Sequence, residues 1–200
     1  MKLIESASAF EGFCSKLGTI APLSITSLSN FAGVLYERRI KKGEYLLREG
    51  QVCREIYFIS RGCIRSYALE DGKEVSIKFF MEGDFAADFE SFRFETPSNF
   101  ILEALENSLV YYGKKNEVVP VLGSEPSLNT FVLRSFQDLF FREMEHSNSF
   151  KLLPPEERYL QILEKYPQYV HRLSVTHIAS YLGISRKTLT RIRKKLKAGV

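Results

Sequence analysis

Between Ser174 and Leu196 the chain reads SVTHIASYLGISRKTLTRIRKKL, and few folds accommodate such a segment. Ile178, Ala179 and Leu182 fall at helical spacing, and Gly183 follows as the residue suited to the left-handed conformation that ends a helix. Ser185 then stands where a side-chain oxygen caps the next helix. Ile184, Leu189, Ile192 and Leu196 supply the buried side of that second helix, and the small Ala179 lets the two helices approach closely. The spacing predicts two short helices joined by a three- or four-residue turn, the helix-turn-helix pattern.

Six of the residues from Arg186 to Lys195 are basic. A helix of this kind fits the major groove of a duplex, where its first turn reads base edges and the remainder meets phosphates. Arg186, Lys187 and Arg191 are expected to face bases, and Ser185, Thr188, Lys194 and Lys195 to position the backbone. Thr176 or Ser174, capping the first helix, offers a main-chain amide to a phosphate. The competing reading is a two-helix core whose charge is incidental.

Charge is distributed to match. Residues 151–200 carry 11 Lys/Arg against the three acids Glu156, Glu157 and Glu164, a formal +8, whereas the preceding 150 residues carry a formal −4. A compact basic tail on a mildly acidic body is the electrostatic footprint of an appended nucleic-acid-binding module. With 44% hydrophobic and 26% charged residues the chain is globular in composition. No run reaches the ~18 apolar residues of a membrane span, and MKLIESASAF is too polar for a secretory signal. Cys14, Cys53 and Cys63 form no CxxC pair, which suits reduced thiols in a cytosol.

Upstream the pattern has a different period. From about Ile40 to Tyr112, the runs IYFISRG, CIRSYALEDG and EVSIKFFMEGD gather β-branched and aromatic residues and stop at glycine. Asp71-Gly72 between two such runs predicts a hairpin with a type I′ turn. Gly43, Gly50, Gly62, Gly72 and Gly83 punctuate successive segments, and many short strands at this spacing predict a β-sandwich or jelly roll. Phe10, Phe13 and Leu17, then Leu28, Phe31 and Leu35, place one or two helices before it, packed on the barrel.

After Pro126 a segment without Gly or Pro predicts a helix of roughly twenty residues, about 30 Å long. It is apolar on more than one face, so one face suits its own domain and another a second subunit. Leu128, Phe131, Val132, Ser135 and Leu139 are the candidate dimer residues. Pro154-Pro155 marks the next boundary. The fold class is therefore α+β, with a barrel and N-terminal helices over 1–125, a dimerisation helix over 126–150 and a helix-turn-helix domain over 151–200.

In this order the parts resemble the Crp/Fnr family of bacterial transcription regulators. KKGEYLLREG (41–50), IYFISRGCIRSYALEDGKE (56–74) and EGDF (82–85) match the glycine framework of the family's cyclic-nucleotide-binding-type barrel, and ISRKTLTRIRKKL (184–196) is similar to its recognition helix. The resemblance implies a cytoplasmic homodimer that reads a roughly palindromic site in double-stranded DNA, with RNA polymerase as a further partner and a small-molecule effector in the barrel. It also implies a small β wing beside the helix-turn-helix. The chain ends at Val200, so a wing is either vestigial or formed near Arg172-Leu173.

Two departures from the family pattern stand out. Cyclic-AMP-responsive members grip the ribose with a Gly-Glu pair and the phosphate with an Arg-Ser/Thr-Ala segment. Counting from Gly83, these fall at Ala87-Asp88 and Ser98-Asn99-Phe100, without the arginine. Gly83, Asp88, Ser98 and Asn99 mark the pocket, and Glu90, Glu95, Glu103 and Glu106 in the same stretch repel an anion if they face inward. Arg93 and Arg134 are the candidates to replace the missing charge. The pattern argues against cyclic AMP and leaves the effector unknown. In the recognition helix, Lys187 replaces an acid; lysine donates to guanine or phosphate where an acid accepts from cytosine.

Other chemistries fit less well. An iron–sulfur sensor needs four clustered ligands rather than three scattered cysteines, and Cys53 and Cys63 read as small buried hydrophobes. A cupin-like enzyme needs several histidines on the barrel and a haem sensor a Cys or His ligand in or beside it; no histidine precedes His146, which leaves Cys53 and Cys63 as the haem-ligand candidates. His146, His171 and His177 are expected at the surface or as caps. No P-loop, G-x-S-x-G or HExxH occurs, and no metal site is predicted. The remaining alternative is a cyclic-nucleotide-binding signalling protein that does not touch DNA.

Overall fold

The computed structural model describes residues 7–198, with the side chains of 7–12 and 16 excepted, so the Phe10 side chain lies outside it. Two helices, α1 (Ala7–Ile20) and α2 (Ile25–Ala32), precede β1 (Tyr36–Ile40), β2 (Tyr45–Leu47), β3 (Glu55–Arg61), β4 (Ile64–Glu70), β5 (Lys73–Phe80) and β6 (Phe85–Ala86). A short helix α3 (Phe89–Phe94) leads to β7 (Ile101–Ala104) and β8 (Ser108–Lys114). Five helices complete the chain after α4 (Lys115–Ser124): α5 (Pro126–Leu152), α6 (Pro155–Lys165), α7 (Pro167–Arg172), α8 (Val175–Tyr181) and α9 (Arg186–Ala198).

The strands form two four-stranded sheets, ordered β1-β8-β3-β6 and β2-β7-β4-β5. β8 is central to the first, pairing antiparallel with β1 (Tyr36 opposite Tyr112) and with β3 (Tyr57 opposite Tyr112). The predicted hairpin turn is present, with Asp71 at φ 50° and Gly72 at φ 74°.

Alternation along β3 and β8 explains why these strands read as near-continuous apolar runs. Tyr57 and Ile59, with Val110 and Tyr112, face the interior between the sheets, among Ile40, Leu47, Ile64, Phe80 and Leu102. Phe58 and Tyr111 face the other side, where Phe13, Leu17, Phe31, Leu35, Val118, Leu128 and Phe131 form a second core. Phe13 meets Phe58 edge-on at 4.8 Å, so the N-terminal helices cover the sheet as the sequence predicts. Each of these buried rings contributes about 1.5–3 kcal/mol relative to exposure.

The chain forms two compact units. One comprises residues up to Ser66 with Phe79–Leu139, and the other Tyr67–Lys78 with the residues from Phe140 on. Neither division lies at the predicted ends of the long helix, because α5 is shared between the units and the β4–β5 tip belongs with the C-terminal one. α5 also runs longer than predicted, 27 residues or about 40 Å. Its stop is set by Pro154, which disfavours helical geometry at the residue before it.

Which face of α5 is covered differs from expectation. Leu128 and Phe131, expected on the dimer seam, are buried in the chain's own core. Ser135 returns its hydroxyl to the Phe131 carbonyl at 2.9 Å, and Val132 and Leu139 are half-buried. Leu133, Phe136, Phe140, Phe141, Met144, Phe150 and Leu152 are the exposed large apolar side chains of this helix. Apolar residues occupy nearly every face of this helix, so periodicity alone could not tell the inward stripe from the outward one.

In the C-terminal unit, Tyr159 and Ile162 of α6, Tyr169 of α7, Ile178 and Ala179 of α8, and Leu189 and Ile192 of α9 are buried. No strand occurs between Leu153 and Ala198 among the described residues, so the expected wing is absent there; Arg172 ends α7 and Leu173 is extended.

Candidate nucleic-acid interface and barrel pocket

α8 starts at Ser174, whose hydroxyl accepts from the His177 amide at 3.1 Å, so Ser174 and not Thr176 is the cap. Thr176 is exposed within the first turn. The helix ends in a Schellman motif: the Gly183 amide donates to the Ser180 carbonyl at 3.1 Å and the Ile184 amide to Ala179 at 3.0 Å. Gly183 takes φ +65°, and a Cβ there would approach the Phe150 ring to 2.8 Å. Ser185 caps α9 by accepting from the Thr188 amide at 3.1 Å, and its hydroxyl bonds that of Thr188 at 2.9 Å.

α9 is amphipathic as a consequence. Leu189 and Ile192 face inward, with Ile184 and Leu196 half-buried beside them. Ser185, Arg186, Lys187, Arg191, Lys194 and Lys195 are exposed, and Thr188 is half-buried. Lys195 reaches both oxygens of Glu156 on α6, at 2.8 and 3.0 Å. An exposed pair of this kind is worth about 0–1 kcal/mol and releases easily.

The predicted pocket residues are arranged differently. Asp88 and Ser98 are brought together, but as each other's partners. One Asp88 oxygen caps α3, accepting from the Glu90 and Ser91 amides at 3.1 Å, and the other accepts from Ser98 Oγ at 2.6 Å. Both residues are buried. Gly83 sits in a turn at φ +87°, its amide bonded to the Ile59 carbonyl at 2.9 Å, and Asn99 is exposed. Arg134 donates to the Ile20 carbonyl at 3.2 Å, while Arg93 is exposed beside Phe94. Glu90 and Glu95 are exposed and Glu103 and Glu106 half-buried. The Lys115 ammonium, 2.8 Å from Glu95, holds that carboxyl below the ordinary range.

Cys53 and Cys63 are buried, as expected of small hydrophobes. Burial pushes the Cys53 thiol up, and Cys14 likewise, which disfavours the thiolate a metal requires. No cluster of three metal-ligating side chains occurs among the described residues, and no described helix is long and apolar enough to cross a membrane.

Three arrangements escaped the sequence reading. Arg38 forms a bidentate pair with Glu55 at 3.0 and 3.2 Å and lies 3.8 Å over the Tyr112 ring. Tyr57 donates to the same Glu55; burial first, then that carboxylate, drives its hydroxyl well above the usual range. Alternation over β1 and β3 was the available signal, since it puts Arg38 on the face of Ile40 and Glu55 on that of Tyr57. Arg65 is fully buried on β4, one residue from the core Ile64. His146, expected at the surface, is packed between aromatic rings.

Residues 37–124 match the cyclic nucleotide-binding domain family. Electron transport regulator A of Shewanella oneidensis is 24% identical over 195 residues, covering 90% of this chain and 77% of the relative. Among solved structures, FixK2 from Bradyrhizobium japonicum superposes with a TM-score of 0.73 at 19% identity, over 83% of this chain and 86% of that one. A structure assigned to the Crp/Fnr family from Eubacterium rectale gives 0.68 at 14% identity, over 88% and 85%. The chain shares the fold of Crp/Fnr-type structures. The curated relatives are named as regulators.

In this barrel the residues expected to meet a cyclic nucleotide are engaged with one another instead. The Asp88 carboxylate and Ser98 hydroxyl are already bonded to each other and to main-chain amides. Neither Arg93 nor Arg134 is directed there to balance a phosphate, because Arg134 is engaged at Ile20 and Arg93 lies beside Phe94. Freeing Asp88 would remove the cap of α3, at a cost of about 0.5–2 kcal/mol.

Proposed function

We propose that two copies of this chain present paired α9 helices to successive major grooves of a palindromic DNA site. The observation that carries this reading is the division of α9 into an inward apolar side, Leu189 and Ile192, and an exposed side bearing Arg186, Lys187, Arg191 and Lys194. Arg186 and Lys187, in the first turn, are placed to read bases; Arg191 extends that face, and Lys194 and Lys195 meet phosphates, Lys195 by exchanging Glu156 for the anion. Crp/Fnr regulators bind DNA and act as dimers, which supports the reading.

Duplex affinity measured against salt tests it. Log K falls linearly with log salt, with a slope of about −0.9 per phosphate neutralised. Arg186→Ala relaxes preference at one base position by about 1–3 kcal/mol, whereas Lys194→Ala weakens all sequences alike and makes the slope shallower by about 1. Binding indifferent to both substitutions overturns the groove assignment.

The barrel is read as operating without cyclic AMP. Saturation to ~100 times Kd adds about 2.7 kcal/mol of stability, or about 5–10 °C in Tm for a chain of this size. Millimolar cyclic AMP is expected to leave Tm unchanged; a rise of several degrees places a nucleotide in the barrel.

A further inference from the structure

Near the end of α5, the His146 ring lies flat against Tyr181 of α8, with centroids 4.1 Å apart and planes 7° from parallel. It meets Phe150 edge-on at 5.0 Å, and Tyr181 continues edge-on to Tyr169 of α7 at 6.2 Å. Beside Tyr181, Ser180 ties the same helix to β5: its hydroxyl accepts from the Ser76 amide at 2.9 Å and donates to the Glu74 carbonyl at 3.0 Å. The first helix of the helix-turn-helix is thus held on one side by rings from α5 and on another by main-chain groups of a hairpin.

The chemistry of the imidazole makes this seat conditional. His146 Nε2 is buried and has no hydrogen-bond partner. A neutral ring places only a lone pair there, whereas a protonated ring places a charged N–H with no acceptor, which costs far more. The surrounding groups come from four elements. Glu143 on α5 attracts an imidazolium but is already paired to Lys78 of β5 at 2.6 Å. Lys78 and Arg158 of α6 repel it, and Tyr181 of α8 stays neutral, its hydroxyl driven up by burial. Arg158 stacks over Phe150 at 4.4 Å with its own Nε buried and unpartnered. Burial, helped by the two cations and opposed by Glu143 and a bond to the Tyr181 main chain, holds His146 below the ordinary histidine range.

We infer that the His146–Tyr181 stack is a proton-operated latch: the neutral imidazole seats α8 against α5, and protonation releases it. Because the seated histidine titrates lower than a free one, the released state binds more protons in the interval between them. Seating is therefore complete above about pH 6.5 and weakens as pH falls from there through the depressed value. α9 follows α8 after the short turn at Gly183, so release also frees the recognition helix; that consequence rests on the DNA-binding reading.

Proton NMR of the three histidines, with the His146 signal assigned by its loss in His146→Phe, gives the first test. His146 is expected to titrate below the ordinary histidine range, and lower still in Glu143→Gln. Amide exchange at Ile178, Ala179 and Leu182, corrected for intrinsic rates, gives the second. Protection is expected to fall severalfold, to a limit of about tenfold, between pH 7.5 and 5.5 in the wild type, and to hold in His146→Phe, which keeps a ring but cannot be protonated. An ordinary His146 midpoint, or an equal loss of protection in the variant, overturns the latch. Duplex affinity is then followed over the same interval. Exchange that responds while affinity does not leaves the latch standing and removes the DNA-binding reading instead.

Discussion

Phe140→Glu is expected to sediment as a monomer at micromolar concentration, where the unaltered chain is expected to sediment as a dimer. Leu133, Phe140 and Phe141 are each about 60% exposed along α5, and Met144 follows at 44%. Burying such side chains against a second copy releases about 1.5–3 kcal/mol apiece. A two-fold interface repeats every residue, so one substitution sets two carboxylates into the same apolar seam. Desolvating an unpaired carboxylate costs several kcal/mol, enough to reverse the gain from the neighbouring rings. Loss of the partner also removes the second half-site, and tandem binding commonly exceeds single-site affinity by about 10²–10⁴-fold, so operator affinity should fall by a factor in that range. Leu128→Ala is the contrasting case. That side chain is fully buried in the chain's own core, so the change costs about 2–5 kcal/mol of stability and leaves association unaltered. A Phe140→Glu protein that remains dimeric places the subunit contact elsewhere.

Gly62→Ala carries the largest expected cost to folding. Gly62 follows β3 at φ +119°, and a Cβ there would fall 2.5 Å from the Ser108 Cβ and 2.7 Å from its Cα. The opposing atoms belong to the start of β8, the strand between β1 and β3, so main chain has to move. Its amide is also fixed by Glu82 Oε1 at 2.8 Å. Strained backbone contributes about 1–3 kcal/mol and overpacking about the same again, a large share of the ~5–15 kcal/mol that holds a typical domain together. Gly72→Ala provides the comparison, since φ is +74° there but nothing lies within 4 Å, leaving backbone strain alone. Urea midpoints should order wild type, Gly72→Ala and Gly62→Ala, with the last far below the others. Equal midpoints for the two variants would show that β8 yields to the added methyl group.

Local rules made several features legible in advance. Gly183, Ser185 and the spacing of Leu189 and Ile192 place the turn and the buried side of α9, because a helix stop, a cap and a 3.6-residue period each depend on near neighbours. Asp71-Gly72 works the same way, as the turn type demands positive φ at both residues. What misled was the assumption that residue type reveals a partner. Asp88 and Ser98 read as halves of a ligand site, yet they lie opposite each other and bond directly. His146 read as a surface residue because its one-residue neighbours Glu145 and Ser147 are polar and exposed, and only folding lays Tyr181 on its ring.

By itself the sequence determined the order of parts and the basic, amphipathic helix near its end, both of which follow from composition and short-range periodicity, while the likeness to Crp/Fnr regulators rested on motif resemblance. Tertiary structure alone decided which stripe of α5 is covered, that Lys195 rests on Glu156, and that His146 Nε2 sits unpartnered among rings. Those outcomes depend on groups dozens of residues apart in the chain, whose meeting is set by how whole sheets and helices pack.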